Sequence, residues 1–189
     1  VQFGQPSDIV TKSYGYFNRN SNTTFPFERG IIITSGRAQH AGNQIIGNTL
    51  DVQNGTAGDS DLETALGVVN TQDATFIKFS FKTFNNQISF RFLMASEEYD
   101  GSTECSFADS FAFLLREAGT VNYTNLAVLP DGTPISTTNI NNSATCANNV
   151  AFFDGYNIGD TNYGGRTKVL TARSAVTPGT VYEINRPAS

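Results

Sequence analysis

Short stretches in which apolar and polar residues alternate recur along the chain, separated by clusters of Asn, Gly, Asp and Ser. A period of two places successive side chains on opposite faces of a strand, so the pattern predicts antiparallel β structure and not alternating β and α units. Strands are expected over residues 30–34, 76–82, 87–96, 109–116, 125–129, 150–153, 167–172 and 180–184. In the second, Ile77, Phe79 and Phe81 share one face with Lys78, Ser80 and Lys82 opposite; in the third, Ile88, Phe90, Phe92 and Met94 form the buried stripe. Asn85-Asn86 between these two predicts a tight hairpin. One helix is expected, because Ser60-Asp61-Leu62-Glu63 has capping-box spacing, Leu62, Ala65 and Leu66 give an apolar edge, and Gly67 stops it. The Asn/Thr-rich span 133–149 reads as a loop pinned by Cys146. The expected fold class is all-β, an antiparallel, jelly-roll-like β-sandwich with one or two short helices. At 189 residues the chain is expected to form one β-sandwich domain over 1–189, since single domains run to roughly 100–200 residues.

Following strand parity past the last core residue of the third strand gives the first chemical signal. Ser96 and Glu98 fall in phase with residues 88, 90, 92 and 94, and Asp109 falls in phase with Phe111, Phe113 and Leu115. Two acids thus occupy core-facing positions at one end of the sheet, joined by the loop 99–107, with Glu97 a third carboxylate beside them. Carboxylates gathered there need an Arg, a shared proton or a hard cation, unless backbone amides in the loop satisfy Glu98. Calcium fits best, because it takes six to eight oxygens at about 2.3–2.6 Å and oxygen donors abound nearby while basic residues do not. A second cluster, Gly58-Asp59-Ser60-Asp61, has Asp-x-Asp spacing; a metal and a plain helix cap at Asp59 or Ser60 account for it equally well. Neither cluster matches the EF-hand loop.

Composition narrows the partners. Only 15% of residues are charged, and 12 basic against 17 acidic residues give a net charge of −5, which repels phosphate and argues against nucleic acid and anionic membranes. No stretch approaches the roughly 20 apolar residues of a bilayer span, so direct membrane insertion is not expected. The chain starts at Val1 without an initiator Met or signal-peptide core and reads as a processed or excised piece. Cys105 and Cys146 have no CxxC spacing and there is one His, which disfavours zinc; a disulfide is a better reading than two free thiols and implies an oxidising compartment. Sparse Lys and Glu among abundant Asn, Thr, Ser and Gly suit an extracellular, secreted β protein.

The best case for catalysis is a glycosidase using two of Glu97, Glu98 and Asp109, but adjacent acids on a strand point oppositely. His40 has no Ser or Cys nucleophile motif to serve, so no acid, base and nucleophile set is assembled and the chain is not expected to be an enzyme. The segment 160–166 is the expected ligand-facing loop, pairing backbone flexibility with Asn162, the Tyr163 face and the Arg166 donor, with Ser96 nearby; alternatively Arg166 only begins the next strand and Tyr163 packs on a loop.

Taken in order, GDSDLETA, ISFRFLMASEEYDG, CSFADSFAFLL, NLAVLPDGTPIS and GGRTKVLTARSAVTPGTVYEI resemble the choice-of-anchor L domains of bacterial surface proteins. The likeness is greatest to the calcium-dependent peptide-binding domains of RTX adhesins, and it runs from Phe27-Glu28-Arg29-Gly30 to Ile184. It implies a β-sandwich with bound Ca2+, placement at the cell surface, and adhesion by holding a peptide or protein C-terminus of another cell near the ion. The matching positions are Asp59, Asp61, Glu97, Glu98 and Asp109 for the metal, and Cys105 and Cys146 for the family's cysteines. The family usually follows TVYEI with a further strand carrying paired aspartates, whereas this chain continues Asn185-Arg186-Pro187-Ala188-Ser189. The family's last strand is therefore expected to be lacking, leaving a sheet edge open to self-association. Two other roles remain open: a filament subunit completed by strand donation, for which residues 1–10 are either a donor or simply the first strand, and a carbohydrate-binding module.

Overall fold

The computed structural model describes residues 2–4, 13–19, 24–42, 50 and 54–189. Its strands are β1 (Gln2–Gly4), β2 (Tyr14–Asn18), β3 (Arg29–Ile33), β4 (Thr75–Lys82), β5 (Gln87–Phe92), β6 (Ala95–Ser96), β7 (Ser110–Phe111), β8 (Leu114–Glu117), β9 (Thr124–Asn125), β10 (Ile135–Ser136), β11 (Phe153–Tyr156), β12 (Gly165–Thr167), β13 (Leu170–Ala175) and β14 (Val181–Ala188). Every ladder among the described residues is antiparallel. One layer runs β1-β4-β14, then β7 and β8 side by side along the far edge of β14, with β10 and β9 outside them. The other pairs β5 with β13 and continues as β6 with β12, flanked by β11. The two pairs meet where Thr167 N donates to Met94 O at 2.9 Å and Met94 N to Thr167 Oγ1 at 3.0 Å. β2 and β3 form a separate hairpin.

The all-β, sandwich-like expectation holds, and so does the parity that led to it. Ile77 is buried and Phe79 and Phe81 pack against the core; Phe92 and Met94 are buried from the facing layer, with Ile88 and Phe90 partly so. Aromatic pairs join the layers, Phe90 to Phe113 at 4.4 Å and Phe92 to Phe111 at 5.2 Å between ring centroids. Each fully buried side chain such as Ile184 contributes roughly 1.5–3 kcal/mol.

The expected hairpin at Asn85-Asn86 is not one. β4 pairs with β1 and β14 while β5 pairs with β13, so the turn carries the chain from one layer to the other. The link from β13 to β14 makes the same crossing beside it, joined by Val176 N to Asn86 O and Gly179 N to Thr83 O. The expected strand 109–116 is interrupted at Ala112-Phe113, where Phe113 N turns to Asn125 Oδ1. Residues Val150–Phe152 form a 3-10 turn ahead of β11. The span 133–149 contains β10 and a bridge between Asn141 and Asn148, and is packed through buried Ile140 and Asn141.

Helix α1 (Ser60–Leu66) begins one residue earlier than the capping box implied. Asp59 is the cap, accepting from Leu62 N at 2.8 Å, while Glu63 turns away to accept from Thr71 N and Oγ1. Gly67 ends the helix in the left-handed region at φ 68°. Leu62 covers Ala112 and Leu114, which point away from the main core. Cys105 and Cys146 are joined by a disulfide, with Cα atoms 5.8 Å apart. β14 runs four residues past the expected Ile184 and has neighbours along both edges, β4 on one side and β7 and β8 on the other. Pro187 cannot donate to the ladder, but its carbonyl accepts from Ala112 N at 3.1 Å. No helix among the described residues is long and apolar enough to cross a membrane.

Candidate ligand-binding cleft

A cavity of about 760 Å³ opens where the β2–β3 hairpin and the segment after it meet one end of the sandwich. Tyr16, Phe25, Phe27 and Ile32 line it from the hairpin side, and Phe92, Met94 and Phe111 from the sandwich. Glu97, Asp109, Tyr163 and Arg186 bring polar groups to the same walls. Ligand cavities are usually of this kind, an apolar, partly aromatic lining with a few convergent polar groups.

The acidic end is built by the Ser96-Glu97-Glu98-Tyr99 run. Ser96 is buried; its Oγ donates to Asp109 Oδ2 at 2.5 Å and accepts from Glu98 N at 2.9 Å. Tyr99 is fully enclosed, packs on Phe153 at 5.0 Å and donates its hydroxyl to Ile140 O at 2.8 Å. The chain turns at residues 97 and 98, which resets the parity used above: Glu97, and not Glu98, lines the cavity with Asp109. Behind this turn, Asp100 accepts from Ser102 N, Thr103 N and Thr103 Oγ1, and those bonds hold its carboxyl well below the usual carboxylate range.

Gly164 and Gly165 let the opposite wall approach. A Cβ on Gly164 would meet Tyr99 O at 2.5 Å, and one on Gly165 would meet Tyr99 Cβ at 2.7 Å. Beyond them the expected ligand-facing loop is docked onto the hairpin side. Asn162 Nδ2 donates to His40 O at 3.1 Å, and Tyr163 OH to Thr34 Oγ1 at 3.4 Å. Burial pushes the Tyr163 hydroxyl up to about 12, and the negative charges of Glu97 and Asp109 push the same way against the Thr34 hydrogen bond. Tyr163, Glu97 and Asp109 all line the cavity. Arg166 is 5% exposed and forms a buried crosslink. Its Nη1 donates to Asp160 at 2.6 and 2.7 Å, its Nε to Asp154 at 2.8 Å, and Phe25 lies over the guanidinium.

The other acidic pair is separate. Asp59 caps α1 and Asp61 Oδ2 accepts from Asn185 Nδ2 at 3.1 Å. Burial, with a smaller push from Asp61, raises the Asp59 carboxyl. Among the described residues no three His, Cys, Asp or Glu side chains form a group arranged to hold a metal, so any calcium at Glu97 and Asp109 would need further oxygens from the backbone or a ligand.

Two charged residues of this region escaped the sequence reading. Glu104 is fully buried, accepting from Gly101 N at 3.0 Å and Tyr156 OH at 2.6 Å, and ties the loop behind the acidic turn to β11. Arg186 lies in phase with Tyr182 and Ile184 on β14, so it points inward, over Phe113 at 4.9 Å and Phe111 at 5.7 Å. The parity argument that found Asp109 would have found Arg186 had the last strand been extended. Desolvation alone lowers the Arg186 guanidinium to about 10.

A family model described as Choice-of-anchor L domain matches residues 1–185. No curated protein and no solved structure matches the chain.

Proposed function

From the premise that the chain belongs to the choice-of-anchor L domain family, a module of bacterial surface-associated proteins, we propose that it is an adhesive module whose cleft takes the end of a peptide chain in the presence of calcium. The observation that carries this reading is the meeting of Glu97 and Asp109 on one wall of an aromatic-lined cavity. Two carboxylates, backed by Ser96 on Asp109, are hard oxygen donors of the type calcium prefers and too few to fill its coordination sphere. A cation held in that way supplies a positive centre for a peptide's terminal carboxylate. The apolar walls hold the preceding side chains, and Tyr163 and the Gly164-Gly165 approach keep the acidic wall in place. Asp59 and Asp61, engaged at the helix start, lie outside this site.

The test is binding of short peptides in calcium and in chelator, with free and amidated C-termini. Calcium should raise the melting temperature, because an ion that binds only the folded state stabilises it by mass action. Amidation should weaken binding at least tenfold, about 1.4 kcal/mol. Asp109→Asn should remove both the calcium effect and the binding. Equal affinity for acid and amide, or binding undiminished in chelator, would overturn the reading.

A further inference from the structure

Among the described residues two arginines, Arg37 and Arg186, have a buried Nε without a hydrogen-bond partner, and of the two Arg186 belongs to the cavity described above. Its Nε is sealed from solvent with no hydrogen-bond partner. The three ion pairs among the described residues join Arg116 to Glu183 and Arg166 to Asp154 and Asp160; none includes Arg186. Two aromatic rings, Phe111 and Phe113, lie against the guanidinium, and the side chain lines the cavity. Although the chain carries a net charge of −5, the described lining residues include four arginines, Arg19, Arg29, Arg91 and Arg186. Against them stand Glu97, Asp109 and Asp160, and Asp160 is already committed to Arg166.

A desolvated guanidinium without a counter-charge is unfavourable, and a planar anion that can accept two parallel N–H bonds relieves it best. With Phe111 and Phe113 against the guanidinium and Nε enclosed, the terminal Nη groups are the donors left for such an anion. We propose that Arg186 is a specificity-determining residue that receives a carboxylate in this cavity, and that the carboxylate is the side chain of a Glu or Asp in the bound peptide. The carboxylate assignment stands on Arg186 and its surroundings alone; its attribution to a peptide rests on the function proposed above. The site is distinct from the acidic wall and needs no cation, so a ligand meeting both would carry an acidic side chain near its end.

The experiment observes the arginine side chains by nitrogen-resolved NMR during titration with N-acetyl-glutamate amide in excess chelator. This probe has only a side-chain carboxylate, and the chelator removes the calcium site from the outcome. A saturable shift of the Arg186 Nη signals is expected, at least tenfold weaker with the capped glutamine analogue and absent in Arg186→Gln. Should that variant fail to fold, Arg186→Met removes the same donors and leaves an apolar stem. No saturable shift, equal responses to the glutamate and glutamine probes, or a response surviving in the variant would overturn the site. A stronger response to glucuronate than to the capped glutamate would overturn the peptide assignment. Failure of the amidation test with success here would overturn the calcium reading and leave Arg186 as the carboxylate receptor.

Discussion

Arg166 on β12 is buried and Arg186 on β14 is half-buried with its Nε enclosed; they lie in facing layers of the sandwich, and both lie against phenylalanine rings. Arg166 has Asp160 and Asp154 at 2.6–2.8 Å, whereas the Arg186 Nε has no hydrogen-bond partner and its side chain joins none of the ion pairs among the described residues. A buried charge with its partners in place is part of the scaffold; here it fastens the 157–166 loop, and through Thr24 on Asp160 Oδ2 it reaches the hairpin side. A buried charge without partners lowers stability, and one beside a cavity has a use only when something enters. The pair separates residues that hold the cleft together from residues that read its contents.

The largest expected effect comes from making Arg166 resemble Arg186. Asp160→Ala leaves a guanidinium 5% exposed with only Asp154, and breaking a buried pair in this way costs about 3–5 kcal/mol. Urea unfolding measures it. A loss below about 1 kcal/mol, the range of an exposed pair, would mean that the crosslink is solvated and that the comparison fails at its first term.

Glu104 extends the scaffold class to a carboxylate. Glu104→Ala strands two backbone N–H groups and the Tyr156 hydroxyl, and a loss of about 2–3 kcal/mol is expected. The readout is the same unfolding curve, and an unchanged midpoint would show that water replaces the carboxylate.

Arg186 should behave with the opposite sign. Arg186→Met keeps much of the stem, removes a desolvated charge, and should stabilise the fold by about 1–2 kcal/mol, raising the melting temperature by roughly 2–8 °C while abolishing carboxylate binding. Stabilisation together with lost binding marks a residue retained for recognition. A destabilised variant would instead place Arg186 with Arg166 as a structural cation.

The two arginines also show what a sequence pattern can and cannot carry. Alternation assigned the inward faces of β4 and β5 correctly, because parity depends only on the chain's own period. It failed at Asn85-Asn86, since nothing in a two-residue polar turn says whether the following strand pairs with its predecessor or crosses to the other layer. Arg186 was lost because Asn185-Arg186-Pro187 reads as the end of a strand, whereas residues 185–188 go on pairing with β4, and Ala188 also with Phe111, so that β14 continues. The acidic end was legible as far as Ser96 and Asp109. Beyond them the turn at Glu97 and Glu98 exchanged which carboxylate meets the cavity, and Glu104 gave no signal because its partners are two backbone amides and a tyrosine about 50 residues away.

The smallest effect extends the comparison from arginines to acids. Asp59 is engaged at the start of α1 by the Leu62 N–H, while Asp109, which accepts from Ser96 Oγ, also lines the cavity. If Asp59 only caps, Asp59→Ala should cost about 1 kcal/mol, the usual loss for such a cap. Asp59→Asn should cost almost nothing, because an asparagine oxygen caps equally well and the change removes the charge that burial and Asp61 already disfavour. Both variants should keep the full rise in melting temperature that calcium gives the unmodified protein. A metal at Asp59 and Asp61 predicts the reverse for asparagine, a retained cap with a lost calcium response, since a neutral amide binds a hard cation more weakly than a carboxylate does. Melting curves of the two variants in calcium and in chelator, beside those of Asp109→Asn, therefore decide which acidic cluster answers to calcium.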